Sequence, residues 1–565
     1  MMKFNEYPYS RPDIQNVESQ FKDLLEQFNQ AASFEEQDLV FEKINELRSQ
    51  FETLGTIVSI RHSIDTTDEF YKAEQDYMDE VGPLYQEFVT DYYKAVVQSK
   101  FRAQLEEKWG GQLFSLMDVS LKTFKPEIIQ DLQQENKLVT QYSQLIASAK
   151  IPFEGEERTL PQLRPFEMST DRGLRQRAAE ARYAFMSEHE DELDRIYDEL
   201  VKVRTRIAGA LGYENFIQLA YDRLNRTDYN AEMVKSFRDQ VKEFIVPAAQ
   251  RLKERQQARI GVDRLTYFDE DFSFASGNAE PKGDPDWIVQ NGAKMYAELS
   301  PETDEFFKFM QENGLMDLVA KKGKQGGGYC TYLSDYEAPF IFSNFNGTSD
   351  DIDVLTHEVG HAFQVFQSRQ YKVPEYSFPT LEAAEIHSMS MEFLTWPWME
   401  LFFKEDTEKY KFNHLSSGLL FIPYGVAVDE FQHYVYGNPE ATPQERKLAW
   451  REIEKKYLPH RDYAGNAYLE QGGFWQKQGH IFSSPFYYID YTLAQLCAFQ
   501  FWKKSQEDRE AAWTAYLELC RQGGSRAFTE LVKAAGLISP FEQGSVSSVI
   551  NEIEHWLGQV EDKKL

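Results

Sequence analysis

Apolar residues recur at helical intervals along most of this chain. Ile44, Leu47, Phe51 and Leu54 follow one another at spacings of three and four, which lays them on one helix face, and Gly55 then breaks the run. The same pattern over 71–99 and 114–149 makes nearly all of 17–150 helical. Pro152, Gly155 and Pro161 mark 152–164 as a linker or a short irregular excursion. Helical spacing resumes over 172–187 and 192–211, closed by Gly212, and over 286–296 and 302–313, closed by Gly314. Further helices are predicted over 402–418, 430–437 and 443–457, and no repeat of fixed period stands out. Arg175, Arg177, Arg182, Arg204 and Arg206 read as a charged helix face, and Arg61, His62 and Asp65 as a structural polar cluster.

One stretch carries a convincing strand pattern. Residues 329–333 and 340–345, with a turn at 334–339 between them, predict a hairpin led in by Gly326, Gly327 and Gly328. Such a hairpin can hold an extended peptide as an added strand, or it can simply support the helix that follows. The glycines suit a close backbone approach or a mobile flap. Residues 267–274, short, aromatic and acidic, predict a strand or loop near the site. The chain is therefore mostly α with one small antiparallel sheet.

Composition narrows the function. A chain of 565 residues can bury a large core. Its net charge of −31 and the lack of a basic cluster argue against a nucleic-acid partner, while favouring solubility and positively charged substrates. Three cysteines without a CxxC pair exclude a disulfide framework. No apolar run is long enough to span a bilayer, and the first residues carry no apolar leader, which points to a soluble cytoplasmic protein with no membrane partner.

The chemistry begins at His357-Glu358-Val359-Gly360-His361, within 350–370. On a helix, positions four apart share a face, so His357 and His361 can offer two imidazole nitrogens to one ion. Glu358 points to the side and suits a base acting on metal-bound water. Thr348 and Asp351 have capping-box spacing, Asp350, Asp351 and Asp353 enrich the first turn, and Val354, Leu355, Val359, Ala362 and Phe363 can form a buried stripe; Pro374 ends the segment. With ten histidines in the chain, a chance match arises on the order of a few per cent of the time, so a third ligand is the stronger test.

A second helical segment, 380–395, lies between Pro379 and Pro397 and places Glu382, Glu385 and Glu392 on one face. Glu385, the central one, is the preferred metal ligand, and Glu392 is placed to orient a histidine. A solvated acidic face and His387 as ligand are the alternatives. Further along, 474–491 holds His480, Tyr488 and Tyr491, the residue types that stabilise negative charge on a carbonyl oxygen. A helix beginning near Pro485 would put the two tyrosines on one face, with His480 in the loop before it. His414, His433 and His460 are scattered and read as satisfied locally.

HEVGH followed by Glu385 and Glu392 resembles the thimet-oligopeptidase-like zinc peptidases, especially their oligoendopeptidase F branch. The resemblance runs from about residue 204 to the C-terminus and is sharpest over 326–392 and 480–491. It implies a large helical zincin with a deep channel, one Zn2+ per chain held by His357, His361 and Glu385, and Glu358 as general base. It implies further that the His480, Tyr488 and Tyr491 cluster serves the oxyanion, with Tyr491 as the foremost donor and the roles of Tyr487 and Tyr488 left open. Relatives in the thimet branch have one more residue between histidine and tyrosines, and Ser484 falls where they often carry another tyrosine. The expected function is endopeptidase cleavage of short unstructured peptides, with 1–200 as a helical channel wall and 201–565 as the catalytic region. An exopeptidase, or a non-catalytic helical scaffold with structural zinc, are the competing readings.

Overall fold

Three long helices, Ile14–Gln30, Phe34–Ile64 and Glu69–Val97, open the computed structural model, which describes residues 2–321, 323–325 and 327–565. Each starts on a side chain that satisfies otherwise unpaired backbone N–H groups: Asp13, Ser33 and Asp68. Gly55 does not break the second of these. The helix continues through it, and a Cβ built there would meet only the flexible end of Met78, Cε at 2.9 Å. Phe21, Phe41, Ile44 and Tyr92 form a core that also takes in Val373 and Tyr376, which lie between the two helices of the motif region. The clamp is completed by Arg48 paired with Glu375 at 2.7 Å and by the Tyr376 hydroxyl, which donates to Trp109 O at 2.8 Å.

Residues 152–164 are more ordered than a linker: Ile151–Phe153 and Glu156–Arg158 pair as an antiparallel hairpin. Arg175 and Arg204 are wholly buried rather than part of a charged face. Arg175 donates to Asp269 at 2.9 Å, and Arg204 to Glu135 at 2.6 Å and Tyr436 at 2.9 Å. A charge removed from water needs such partners, which periodicity does not reveal. Residues 267–274 form turns, not a strand.

The predicted hairpin is present, with Tyr329–Leu333 antiparallel to Ala338–Phe345. A strand the periodicity missed, Met316–Val319, joins the far side of Ala338–Phe345 in parallel. Tyr329–Leu333 is consequently an edge strand. Gly326 lies outside the described residues.

Residues 407–418 of the segment expected at 402–418, and all of 430–437, are parts of one 31-residue helix, Thr407–Gly437, with Pro423 inside it, while 402–406 belong to short turns before it. Gly425 marks a crossing, because a Cβ there would fall 2.1 Å from Thr492 Cγ2 on helix Tyr488–Glu507. Helix Leu381–Leu394 packs between that helix and Asp350–Ser368, which explains why almost every one of its residues is buried. Among the described residues no helix is long and apolar enough to cross a membrane.

Candidate metal centre and active site

Helix Asp350–Ser368 begins on a turn that differs from the predicted capping box. The Asp351 carboxylate accepts from Asn346 N and Gly347 N, both at 2.8 Å, while the Thr348 hydroxyl donates to Asn346 Oδ1 at 2.8 Å. Asp351 is used by the turn before the helix, so no reciprocal bond to residue 348 forms. Leu355, Val359, Ala362 and Phe363 of the predicted stripe are buried, while Val354 is half-buried. His357 and His361 project together from another face, their ring centroids 5.0 Å apart.

The glycine of the motif decides how close the next helix comes. A Cβ on Gly360 would lie 2.6 Å from Ser388 Cα and 2.7 Å from His387 O, so only glycine permits this crossing. As a result Glu385 Oε2 stands 3.3 Å from His357 Nε2 and 3.5 Å from His361 Nε2. One ligand atom from each of the three residues lies within 4.8 Å of the others. Donors about 2.0–2.1 Å from a tetrahedral ion lie about 3.3 Å apart, so this N, N, O set fits zinc. Ser388 Oγ donates to Glu385 Oε2 at 2.9 Å and the Tyr487 hydroxyl to Oε1 at 3.0 Å.

The second helix presents neither a solvated acidic face nor His387 to the donor group. Glu382 and Glu385 are 1% and 6% exposed, which is no solvated face. His387 is fully buried outside the donor group, and burial pushes its pKa down to about 4.

Glu392 sits behind the first histidine. It meets His357 Nδ1 at 2.7 Å through Oε1 and His414 Nε2 at 2.7 Å through Oε2. The Trp396 indole donates to His414 Nδ1 at 3.1 Å, which leaves Nε2–H to donate to Glu392. Burial would raise the Glu392 carboxyl, but these two imidazoles hold it below the usual range. His414 is thus not satisfied apart from the site, and no sequence spacing connects it to Glu392. His433 and His460 do lie elsewhere: His433 stands 3.4 Å from Asp429, and burial lowers His460 to about 4.

Glu358 is 7% exposed, and its Oε2 has no hydrogen-bond partner among the described residues. Burial raises its carboxyl, with the imidazoles opposing. The glycine run approaches it closely: a Cβ on Gly328 would lie 3.4 Å from Glu358 Oε1.

His480 lies in a short helix, Gly479–Ser483, rather than in a loop. Gln478 Nε2 donates to its Nδ1 at 2.8 Å, so its Nε2 carries the proton, and burial lowers its pKa, which keeps it neutral. The chain then reverses at Phe486, a buried residue in the left-handed region (φ 67°) whose N–H donates to Gln432 Oε1 at 2.9 Å. Helix Tyr488–Glu507 follows. The His480 ring lies 5.0 Å from Tyr488 and 5.9 Å from Tyr491. Burial pushes both phenols up, so both stay protonated donors. His357, Glu392, His480, Tyr488 and Tyr491 line one cavity of about 440 Å3. Tyr487, left without a role by the sequence, is the tyrosine that touches Glu385.

Residues 166–549 match the model of peptidase family M3, and residues 4–124 match the peptidase M3 N-terminal domain. Oligopeptidase PepF of Bacillus subtilis is 21% identical, covering 93% of this chain and 79% of its own length. An oligoendopeptidase F homolog of Lactococcus lactis is 24% identical over 88% of this chain and 85% of its own. The solved structure of PZ peptidase A with an inhibitor is 63% identical, covers 99% of this chain and all of that one, and superposes with a TM-score of 0.95.

Proposed function

The chain belongs to peptidase family M3, and from that premise we propose that it is a zinc-dependent endopeptidase that cuts internal bonds of short, unstructured peptides. The observation that carries this reading is the gathering of His357, His361 and Glu385 beside an unpartnered, buried Glu358. Zinc held by His357, His361 and Glu385 would supply an activated water near neutral pH and polarise the scissile carbonyl.

The chain's own residues do the rest. Glu392, itself held by His414, fixes the His357 ring so that Nε2 is turned towards Glu385 and would be free to bind the metal. Ser388 and Tyr487 fix Glu385 in the same way. Glu358 takes the proton of the attacking water and passes it to the leaving amine. Tyr491 and neutral His480 donate hydrogen bonds to the carbonyl oxygen as it gains charge, with Tyr488 packed beside them. Tyr329–Leu333, an edge strand next to Glu358, holds the peptide backbone by strand addition, which grips any sequence alike.

Three further readings belong to this proposal. Residues 1–200 form one wall of a channel that excludes folded proteins, and 201–565 carry the catalysis. The three cysteines are all free, which supports a reducing, cytoplasmic setting. The His/Cys/Asp/Glu group has three members among the described residues, not the four of a closed structural zinc, which supports an enzyme over a scaffold.

Mass spectrometry of a mixed peptide pool, with and without a chelator, tests the proposal. Internal cleavage of peptides blocked at both ends, abolished by chelation and restored by Zn2+, is expected. Cleavage only of peptides with a free terminus would make it an exopeptidase, and chelator-resistant cleavage would remove the metal from the reaction.

A further inference from the structure

Arg226, far from the metal motif in sequence, underlies the reversal that aims two of the site's tyrosines. Helix Phe216–Arg223 ends with Asn225 in the left-handed region (φ 56°), and the N–H groups of Asn225 and Arg226 donate back to Asp222 O at 2.9 Å and Tyr221 O at 3.1 Å. This closed turn sends the Arg226 side chain inward, where it is fully buried. Its guanidinium lies 4.4 Å from the ring centroid of Tyr221 and 5.5 Å from that of Tyr229, so two aromatic neighbours hold its plane.

From there one nitrogen of Arg226 donates twice, to Phe486 O and to Asp490 Oδ1, both at 2.6 Å. The two acceptors bracket the point where the chain turns into helix Tyr488–Glu507. Phe486 is the left-handed residue of that reversal, a conformation that a bulky residue keeps only where its surroundings over-determine it. They do so from both sides: Arg226 holds the Phe486 carbonyl, and Gln432 of helix Thr407–Gly437 accepts from its N–H at 2.9 Å. Tyr487 follows directly, its hydroxyl 3.0 Å from Glu385 Oε1, and Tyr491 follows Asp490. Two bonds of one guanidinium thus fix the backbone immediately before each tyrosine.

We propose that Arg226 is a positioning residue of the hydrolytic site: by holding Phe486 O and Asp490 together it aims the Tyr487 hydroxyl at Glu385 and the Tyr491 hydroxyl towards the cleft. The inference rests on the hydrolytic reading given above. Lysine replaces it only in part, because an ammonium lacks the planar group that Tyr221 and Tyr229 hold.

The test is a mutant cycle on zinc-saturated protein, with kcat and KM measured on a blocked peptide. Arg226→Met combined with Asp490→Asn removes the pair together and leaves neither partner as a lone buried charge. This double variant should lower kcat about 10- to 100-fold with KM within about 3-fold of wild type, and weaken zinc binding in a chelator competition, with Arg226→Lys in between. In a Tyr491→Phe background the same double change should lower kcat by less than about 3-fold, because the donor it aims is already gone, whereas a loss through folding alone would multiply with that of Tyr491→Phe. Wild-type kcat and zinc affinity in the double variant, or an undiminished loss in the Tyr491→Phe background, would overturn the positioning role. Should the double variant not fold, Gln432→Leu, which cuts the other anchor of Phe486 without touching a charge, runs the same cycle with the same two deciding outcomes. No cleavage of any peptide by the wild type would instead overturn the hydrolytic reading.

Discussion

Gly360 lies against the backbone of Ser388 so closely that a Cβ at 360 would fall 2.6 Å from Ser388 Cα. In an isolated helix, glycine to alanine is worth about 0.8–1 kcal/mol in favour of the helix. Here the neighbour is backbone and cannot turn away, so Gly360→Ala should destabilise by about 1–3 kcal/mol and push Glu385 away from the two histidines. Calorimetry should show a lower Tm, and atomic emission a lower zinc content. A raised Tm with full zinc would mean that the two helices are not held by this contact.

Glu358→Gln keeps the shape and removes the proposed base. Glu358 is outside the donor group, so zinc content should stay at the wild-type level while kcat falls by about 100- to 10,000-fold. Turnover near wild type would refute the assignment of Glu358.

The Glu392 carboxylate joins His357 to His414, each at 2.7 Å. Removing such a partner of a metal ligand typically costs 10- to 100-fold in affinity. Glu392→Ala should weaken zinc binding by about that factor and His414→Ala by less, while His414→Gln, which can still donate, recovers part of it. Competition with a chromophoric chelator measures the affinities. Wild-type binding by His414→Ala would confine that histidine to packing.

These residues also show what a sequence can and cannot disclose. His357, Glu358, His361, Glu385 and Glu392 were legible because helical spacing sets which of them share a face, and only one bend separates the two helices. His414 and Tyr487 were not: the first comes from another helix, and the second is aimed by the reversal at Phe486. Glycines misled for a related reason. Gly55 reads as a break, yet the helix runs through it against Met78, and Gly425, which carried no reading in the sequence, makes room for Thr492. The helical class needed only local periodicity, whereas the parallel strand Met316–Val319 depends on a neighbour it meets only in the fold.

Tyr491 and Tyr487 make opposite predictions although their rings are 4.9 Å apart. Tyr491→Phe removes the proposed donor to the developing oxyanion, so kcat should fall by about 100- to 1,000-fold with KM and zinc content nearly unchanged. Tyr487→Phe removes the 3.0 Å bond to Glu385 and should instead weaken zinc binding. Steady-state kinetics together with metal titration separate the two. The reverse pattern would exchange their roles.

Glu382 couples the stability of the second helix to pH. It is 1% exposed and lies close to the buried Arg226–Asp490 pair, whose charged atoms are 2.6 Å apart. Burial, reinforced by the Asp490 charge, pushes its carboxyl up to about 8. Burial raises Asp490 as well, to about 7, but Arg226 stays charged and lies against Asp490 at 2.6 Å, which favours the negative charge on Asp490 and the proton on Glu382. In the unfolded chain a glutamate titrates near about 4.3. The folded state therefore binds this proton more tightly, so the stabilisation is complete below about pH 4 and is lost as pH rises through about 8. Glu382→Gln has the same shape and no proton to lose. Measured by calorimetry with saturating zinc at every pH, the Tm of the wild type should drop relative to the variant between about pH 5 and 8. Parallel profiles would place the negative charge on Glu382 in the folded protein, and Arg226 would then have to balance two carboxylates.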